Sequence, residues 1–249
     1  VTGARRTVPL RSTCAQPHPC GAAMRLTILG QIPIFQDLSA EALADLADRM
    51  PSLSWGPGDT LFAAGEPAEH VYLLAAGQAK AFRSTSTGQS TSLDFLGPGD
   101  VLGSLTALDE GRYPETAVAL VTTCALRLES AAFRELLLTH PSVALRVLDV
   151  VVERLHRARS MEAEQASVTV TTRVAATLLR LADTFGVPGD SVGTTLIQLP
   201  LTRADLAAMT GTSAESVSRA MSGLRRHGLI ESGRRWTAVL DRPGLLAAK

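Results

Sequence analysis

"LTRADLAAMTGTSAESVSRAMSGLRRHGLIESGRRWTAVL", residues 201–240, carries the strongest structural signal in the chain. Thr202 precedes an apolar-periodic run and Asp205 follows three residues later, the spacing of a capping box whose charge suits a helix N-terminus. Gly211 ends that helix and permits a tight turn. The next segment, "TSAESVSRAMSGLRRHG", sets Val217, Ala220, Met221 and Leu224 on one helical face before Gly228 stops it. "LIES-GRR-WTAVL" then reads as strand, turn, strand. A short helix, a glycine turn, a longer helix and a hairpin spell a winged helix-turn-helix.

The outward face of the second helix carries the chemistry. Ser213, Ala214, Glu215, Ser218 and Arg219 lie towards its N-terminus, where a recognition helix meets base edges in the major groove. An arginine there forks onto guanine O6 and N7, and a carboxylate accepts from a cytosine amine, so Arg219 and Glu215 are the candidate readers. Arg225 and Arg226, farther along, and Arg234 and Arg235 in the hairpin turn, are candidate phosphate contacts. Arg203 and Thr212 complete the candidate DNA-binding set. Two plainer readings stay open: Thr212 to Glu215 also spells a capping box, and Glu215 with Arg219 makes an i,i+4 ion pair.

Charge distribution points the same way. The 249-residue chain has no formal net charge, yet residues 25–166 hold 11 basic and 18 acidic side chains. Residues 167–249 hold 10 basic and 6 acidic, and residues 1–24 hold three arginines and no acid. A basic C-terminal part on an acidic middle fits a nucleic-acid module joined to something that avoids nucleic acid. No apolar run is long enough to span a bilayer. Residues 1–24 read as a flexible tail without the apolar core of a signal peptide, Met24 is a candidate start, and the cytoplasm is the expected compartment. Cys14, Cys20 and Cys124 lack metal-ligand spacing, so no metal site is expected. Cys124 alternates into a strand as a small core residue, whereas Cys14 and Cys20 read as exposed bystanders or a redox pair in the tail.

Upstream, residues 33–50 have helical spacing with Ser39 as N-cap. After Pro51 come short apolar pieces punctuated by glycine, the texture of an antiparallel roll or barrel. "GPGDTLF" at 56–62 is echoed by "GPGDVLG" at 97–103, as equivalent turns of a rolled sheet would produce. Helical spacing returns near residue 130, and Pro141 divides a short helix from a long one reaching about 165. On the long helix Leu145, Leu148, Val152 and Leu155 form a narrow seam suited to pairing with a second copy, the alternative being packing on the chain's own sheet. A helix over 171–185, closed by Gly186, opens the C-terminal part. The expected organisation is tail (1–24), sensor domain (25–140), dimerisation helix (141–166) and winged helix-turn-helix (167–249), an α+β chain.

This order resembles the cyclic-AMP receptor protein / fumarate–nitrate reduction regulator (Crp/Fnr) superfamily of bacterial transcription factors over roughly residues 30–245. The most specific pieces are "GPGDVLG", "LTRADLAAMTGTSAESVSRAM" and the long helix between them. The resemblance implies a cyclic-nucleotide-binding-like β-roll, a homodimer through the long helix, binding to palindromic double-stranded DNA, and RNA polymerase as a candidate further partner. Glu215-x-x-Ser218-Arg219 is similar to the oxygen-responsive branch, whereas the cyclic-AMP branch has arginine where this chain has Ala214. The half-site it implies has a TGA-type core, nearer TTGAT than TGTGA.

By the same resemblance the effector pocket comprises Leu102, Gly103, Ser104, Leu105, Glu115, Thr116, Ala117 and Arg159. In the cyclic-nucleotide branch a Gly-Glu pair meets the ribose, an Arg-Ser pair the phosphate, and a Thr-Ser pair the adenine. Here these positions fall on Gly103-Ser104, Glu115-Thr116 and Ala158-Arg159, so all three polar contacts depart from the pattern. Arg112 or Arg159 offers an anion a different geometry. No cofactor is assigned; a small-molecule effector is a candidate input, and a cyclic nucleotide in the usual pose is not the favoured one. A cyclic-AMP-responsive regulator with a non-standard pose and a thiol- or redox-responsive regulator are the alternatives, and a metal-dependent cupin-like enzyme is the distant one. The latter would require a cluster of inward histidines and carboxylates that the spacing of residues 56–128 does not supply.

Overall fold

The two Gly-Pro-Gly-Asp repeats fold into the same turn. In each, the aspartate carboxylate accepts from the first glycine's N–H, Gly56 to Asp59 at 2.7 Å and Gly97 to Asp100 at 2.8 Å. The third residue sits left-handed, Gly58 at φ 92° and Gly99 at φ 94°, a conformation that favours glycine. Each turn is then stitched to a strand by its backbone, Gly58 N–H to the Ala119 carbonyl and Gly99 N–H to that of Leu74. Local sequence thus sets two equivalent corners of a rolled sheet.

This computed structural model describes residues 20–84, 90–103, 111–189, 191–233 and 235–248. The described residues form two compact units, 20–156 and 157–248. The first unit begins with α1 (Ala22–Gly30), a 3-10 turn (Pro33–Phe35) and α2 (Ala40–Arg49). Eight strands follow: β1 (Ser52–Trp55), β2 (Thr60–Phe62), β3 (His70–Ala76), β4 (Ala79–Ser84), β5 (Ser90–Leu96), β6 (Val101–Leu102), β7 (Thr116–Ala119) and β8 (Thr123–Glu129). They make two four-stranded antiparallel sheets, in the orders β1-β8-β3-β6 and β2-β7-β4-β5.

Strand alternation feeds two cores. Tyr72, Leu74 and Ala125 face the second sheet, where they join Phe62, Ala81 and Ala117. Val71, Leu73, Leu126 and Leu128 point the other way and pack with Phe35, Leu46, Phe133 and Val143 from the helices. A sheet buried on both faces explains why these strands read as apolar runs. Cys124 is buried within β8, as its alternation implied.

After β8 come α3 (Ser130–Thr139) and α4 (Pro141–Ser167), broken at Pro141 as expected. The division between the two units falls inside α4, between His156 and Arg157. One face of α4 seats Val143, Val147 and Val150 on the helical core. The other leaves Leu145, Leu148, Val152 and Leu155 at 62, 54, 42 and 47 % exposure. The chain's own sheet therefore does not cover the seam.

The second unit continues with α5 (Val170–Phe185), β9 (Gly186–Pro188), β10 (Thr195–Ile197), α6 (Arg203–Thr210), α7 (Ala214–Arg226), β11 (Ile230–Gly233), β12 (Trp236–Val239) and α8 (Arg242–Leu246). Its sheet runs β11-β12-β10-β9, so the wing hairpin is half of a larger sheet. Gly186 ends α5 in an extended conformation at φ −74°. It is needed for close approach: a Cβ there would lie 2.1 Å from the Ala182 carbonyl oxygen.

Two expectations need correction. The tail was expected through residue 24, but the chain is helical from Ala22, and the first described residues are anchored. Cys20, expected exposed, is buried; its N–H donates to Ser52 Oγ, and its carbonyl accepts from Arg25 at 3.0 Å. Amphipathic signal was too weak over 22–30 to show the helix, whose interactions with α2 come from folding.

Candidate nucleic-acid interface and sensor pocket

The first helix of the motif is capped as its sequence spells. Thr202 Oγ1 accepts from the Asp205 N–H at 3.0 Å while Asp205 accepts from the Thr202 N–H at 3.0 Å. Gly211 closes α6 in the left-handed conformation, φ 60° and ψ 44°. Both Gly211 and Thr212 direct their N–H groups at the Ala207 carbonyl, which fixes the turn. α5, α6 and α7 pack mutually around Leu178, Leu206, Val217, Met221 and Leu224, all buried.

The N-cap of α7 is Ser213, whose hydroxyl accepts from the Ser216 N–H at 3.1 Å. The alternative capping box from Thr212 to Glu215 is thereby overturned, since the box is out of register by one residue. Glu215 stands exposed in the first turn and pairs with Arg219 at 3.6 Å. Both side chains are more than two-thirds exposed, so the pair contributes only about 0.3–0.5 kcal/mol. A bidentate arginine–guanine contact is worth about 1–3 kcal/mol, so a base displaces the ion pair at little loss. Ser218 is exposed and donates to the Ala214 carbonyl at 2.9 Å, which leaves its oxygen lone pairs facing outward as acceptors.

Arg225 and Arg226 are exposed at the C-terminal end of α7, where their charge suits the helix dipole. Arg203 is half-buried at the start of α6, and burial, followed by the nearby Arg225 charge, lowers its guanidinium from the usual value. Two guanidinium groups thus stand near one another, which is a favourable environment for a phosphate. Arg235 is exposed and left-handed at φ 69°. Trp236 packs its indole against Gly233, where an added Cβ would meet Nε1 at 2.5 Å, and this holds the wing tight. Arg234 lies outside the described residues.

In the roll, Leu102 and Ala117 are buried in one core cluster. Gly103 is left-handed at φ 76°, and a Cβ there would lie 2.9 Å from the Tyr113 ring. Tyr113, buried in the same core cluster, is the neighbour of Gly103 that the sequence alone did not single out. Its ring stacks on Phe62 at 4.1 Å between centroids, and its hydroxyl donates to the His70 carbonyl at 2.7 Å. Burial, and next the neighbouring Tyr72, hold that hydroxyl above the ordinary phenol range. A single aromatic in "GRYPE" was the available signal. Gly103→Ala is expected to destabilise the roll by about 2 kcal/mol, from left-handed strain plus the clash, read as a lowered urea midpoint with unchanged slope.

Thr116 Oγ1 accepts from the Ala64 N–H at 3.1 Å, and Glu115 beside it is half-buried. Arg112 is exposed and donates to the Gly65 carbonyl at 2.6 Å. Arg159 is exposed on α4 past residue 156, in the second unit. Ser104 and Leu105 lie outside the described residues. Among the described residues no group of three or more histidine, cysteine, aspartate or glutamate side chains is placed to hold a metal ion, and no helix is long and apolar enough to cross a membrane.

Comparison with known proteins agrees with both halves. The cyclic nucleotide-binding domain family matches residues 52–140, and the Crp-like helix-turn-helix domain family matches residues 172–248. The chain is 30 % identical over 203 residues to the CRP-like cAMP-activated global transcriptional regulator of Mycobacterium tuberculosis, covering 82 % of this chain and 90 % of that protein. It is 27 % identical over 207 residues to the transcriptional activator protein FnrA of Stutzerimonas stutzeri, covering 83 % of each. The solved structure of FixK2 from Bradyrhizobium japonicum superposes with a TM-score of 0.68 at 25 % identity, covering 79 % of this chain and 95 % of that one. The named sequence relatives are transcription regulators, which sets aside the cupin-like enzyme.

Proposed function

This chain belongs to the Crp/Fnr superfamily and is a transcription regulator of that type; from that premise we propose that it acts as a homodimer on palindromic operators. Each α7 enters the major groove over a TGA-type half-site, nearer TTGAT than TGTGA, with half-site centres about 34 Å apart, one turn of DNA. The observation that carries the reading is the division of α7: Val217, Ala220, Met221 and Leu224 are buried, while Glu215, Ser218 and Arg219 are exposed. Arg219 reads guanine, Glu215 accepts from cytosine, and Arg203, Arg225 and Arg226 meet phosphates, with Thr212 and Ser213 at the turn approaching the backbone. In vitro selection from random DNA is the test. Recovery of inverted repeats with a TGA core supports the assignment, and a motif without that core sinks it.

The sensor pocket has left the cyclic-AMP pattern in this reading. An arginine facing a phosphate at 4 Å gives about 4 kcal/mol of raw attraction at an effective dielectric of 20, and Glu115 in that place reverses the sign. Thr116, whose hydroxyl holds the Ala64 N–H, supports the strand as well as facing any ligand. The M. tuberculosis relative is named as cAMP-activated, so cyclic AMP is the ligand to try first. Calorimetry is expected to show no tight cyclic-AMP binding to the unsubstituted chain and at least about tenfold stronger binding to Glu115→Arg. Tight binding by the unsubstituted chain, lost in Thr116→Ala, would overturn the divergence and make this a cyclic-AMP regulator.

A further inference from the structure

One half-buried arginine in the second unit stands outside the DNA-contact set proposed above. Arg173 lies in the first turn of α5, and its guanidinium spans two backbone carbonyls that are distant in sequence. Nη1 donates to Val168, in the break between α4 and α5, at 3.0 Å. Nε donates to Thr210, the last residue of α6, at 2.9 Å. Thr210 has one of the helix-terminal carbonyls that α6 cannot satisfy internally, and a cation at that end also complements the helix dipole. The residue after it is Gly211, and α7 begins at Ala214.

We infer that Arg173 is a positioning residue for DNA binding, a clamp that fixes the helix-turn-helix turn, and through it the seat of α7, to the α4–α5 junction. The geometry requires a fork. A lysine ammonium reaches one carbonyl or the other as a point charge, whereas the planar guanidinium holds both at a set separation. The Thr169 side chain caps α5 by accepting from the Thr172 N–H at 3.2 Å, so the junction itself is a formed structure against which the clamp can pull. The turn is rigid from one side through the Gly211 and Thr212 bonds to Ala207, and from the other through Arg173.

The inference rests on the DNA-binding reading above, and its experiment separates the two. Operator affinity and its salt dependence are measured for the full chain, Arg173→Lys and Arg173→Met, on the palindrome recovered by selection. Hydrogen exchange at residues 208–213 is followed in the same proteins without DNA. Arg173→Met is expected to bind about tenfold more weakly, Arg173→Lys to fall between, and both to keep the salt slope of the parent, because no phosphate contact is lost. Exchange at Gly211 and Thr212 is expected to quicken in Arg173→Met while the α5 core stays protected, so that a merely unfolded variant is recognised. Unchanged affinity and unchanged exchange overturn the clamp. A shallower salt slope overturns it as well, by making Arg173 a phosphate ligand. If the unsubstituted chain binds no DNA, the regulator reading fails instead, and the exchange result alone then decides whether Arg173 holds the turn.

Discussion

Leu148→Asp is expected to turn the protein into a monomer and to remove stable operator binding. Leu148 stands in the middle of the stripe Leu145, Leu148, Val152 and Leu155, four large apolar side chains exposed along one face of α4. A buried leucine contributes about 1.5–3 kcal/mol relative to an exposed one, so two copies of this stripe offer a substantial driving force for pairing. A carboxylate placed in such a seam loses that contribution and carries its own desolvation penalty. The sum is at least about 4 kcal/mol, roughly a thousandfold in the dimer dissociation constant. Because Leu148 faces away from Val143, Val147 and Val150, which pack on the helical core, the fold of the first unit is expected to survive. Light scattering coupled to size exclusion reads the mass, and circular dichroism checks the fold. A monomeric parent at micromolar concentration, or a dimeric Leu148→Asp, refutes the pairing.

Arg219→Ala is expected to weaken binding to the selected operator by at least about 30-fold, the loss of one bidentate base contact of about 1–3 kcal/mol in each of two half-sites. Binding to scrambled DNA should change far less, because the phosphate contacts remain. Arg219→Lys is expected to recover little of the loss, since an ammonium cannot make the two parallel bonds of a guanidinium. The contrast with Arg225→Ala is diagnostic. Removing a phosphate contact weakens all sequences alike and reduces the salt slope by about 0.9 per contact, whereas Arg219→Ala leaves the slope in place. Competition titrations at several salt concentrations read both quantities. Equal weakening on operator and scrambled DNA by Arg219→Ala would remove it from the base-reading set.

Local signals in the sequence were legible, and those that act across the fold were not. The capping box at Thr202 and Asp205, the stop at Gly211 and the inner face of α7 were legible because each rests on spacing within one helix. The repeated Gly-Pro-Gly-Asp turns were legible for the same reason, as proline, left-handed glycine and aspartate act within four residues. The N-cap of α7 was ambiguous by one residue, because Thr212 and Ser213 are both good caps and packing selected Ser213. The hairpin of β9 and β10 escaped, since strands of three residues gain their stability from pairing, β9 with β10 and β10 with β12. Tyr113 and Arg173 escaped too. Neither follows a period, and each acts on backbone groups far along the chain: His70 for the tyrosine, Thr210 for the arginine.

The class of the protein and the faces of its helices are written in the sequence, because capping, turn chemistry and hydrophobic period are properties of short segments. The residue types at the polar positions of the candidate pocket were legible as well, and the proposed departure from the cyclic-AMP pattern rests on them. The folded chain was needed to show that Glu215 lies outside the helix cap, that Cys20 is buried, and that the stripe on α4 is left uncovered by its own unit. Those are outcomes of packing, where one residue of register or one neighbouring side chain changes which atoms meet solvent, and no local period encodes them.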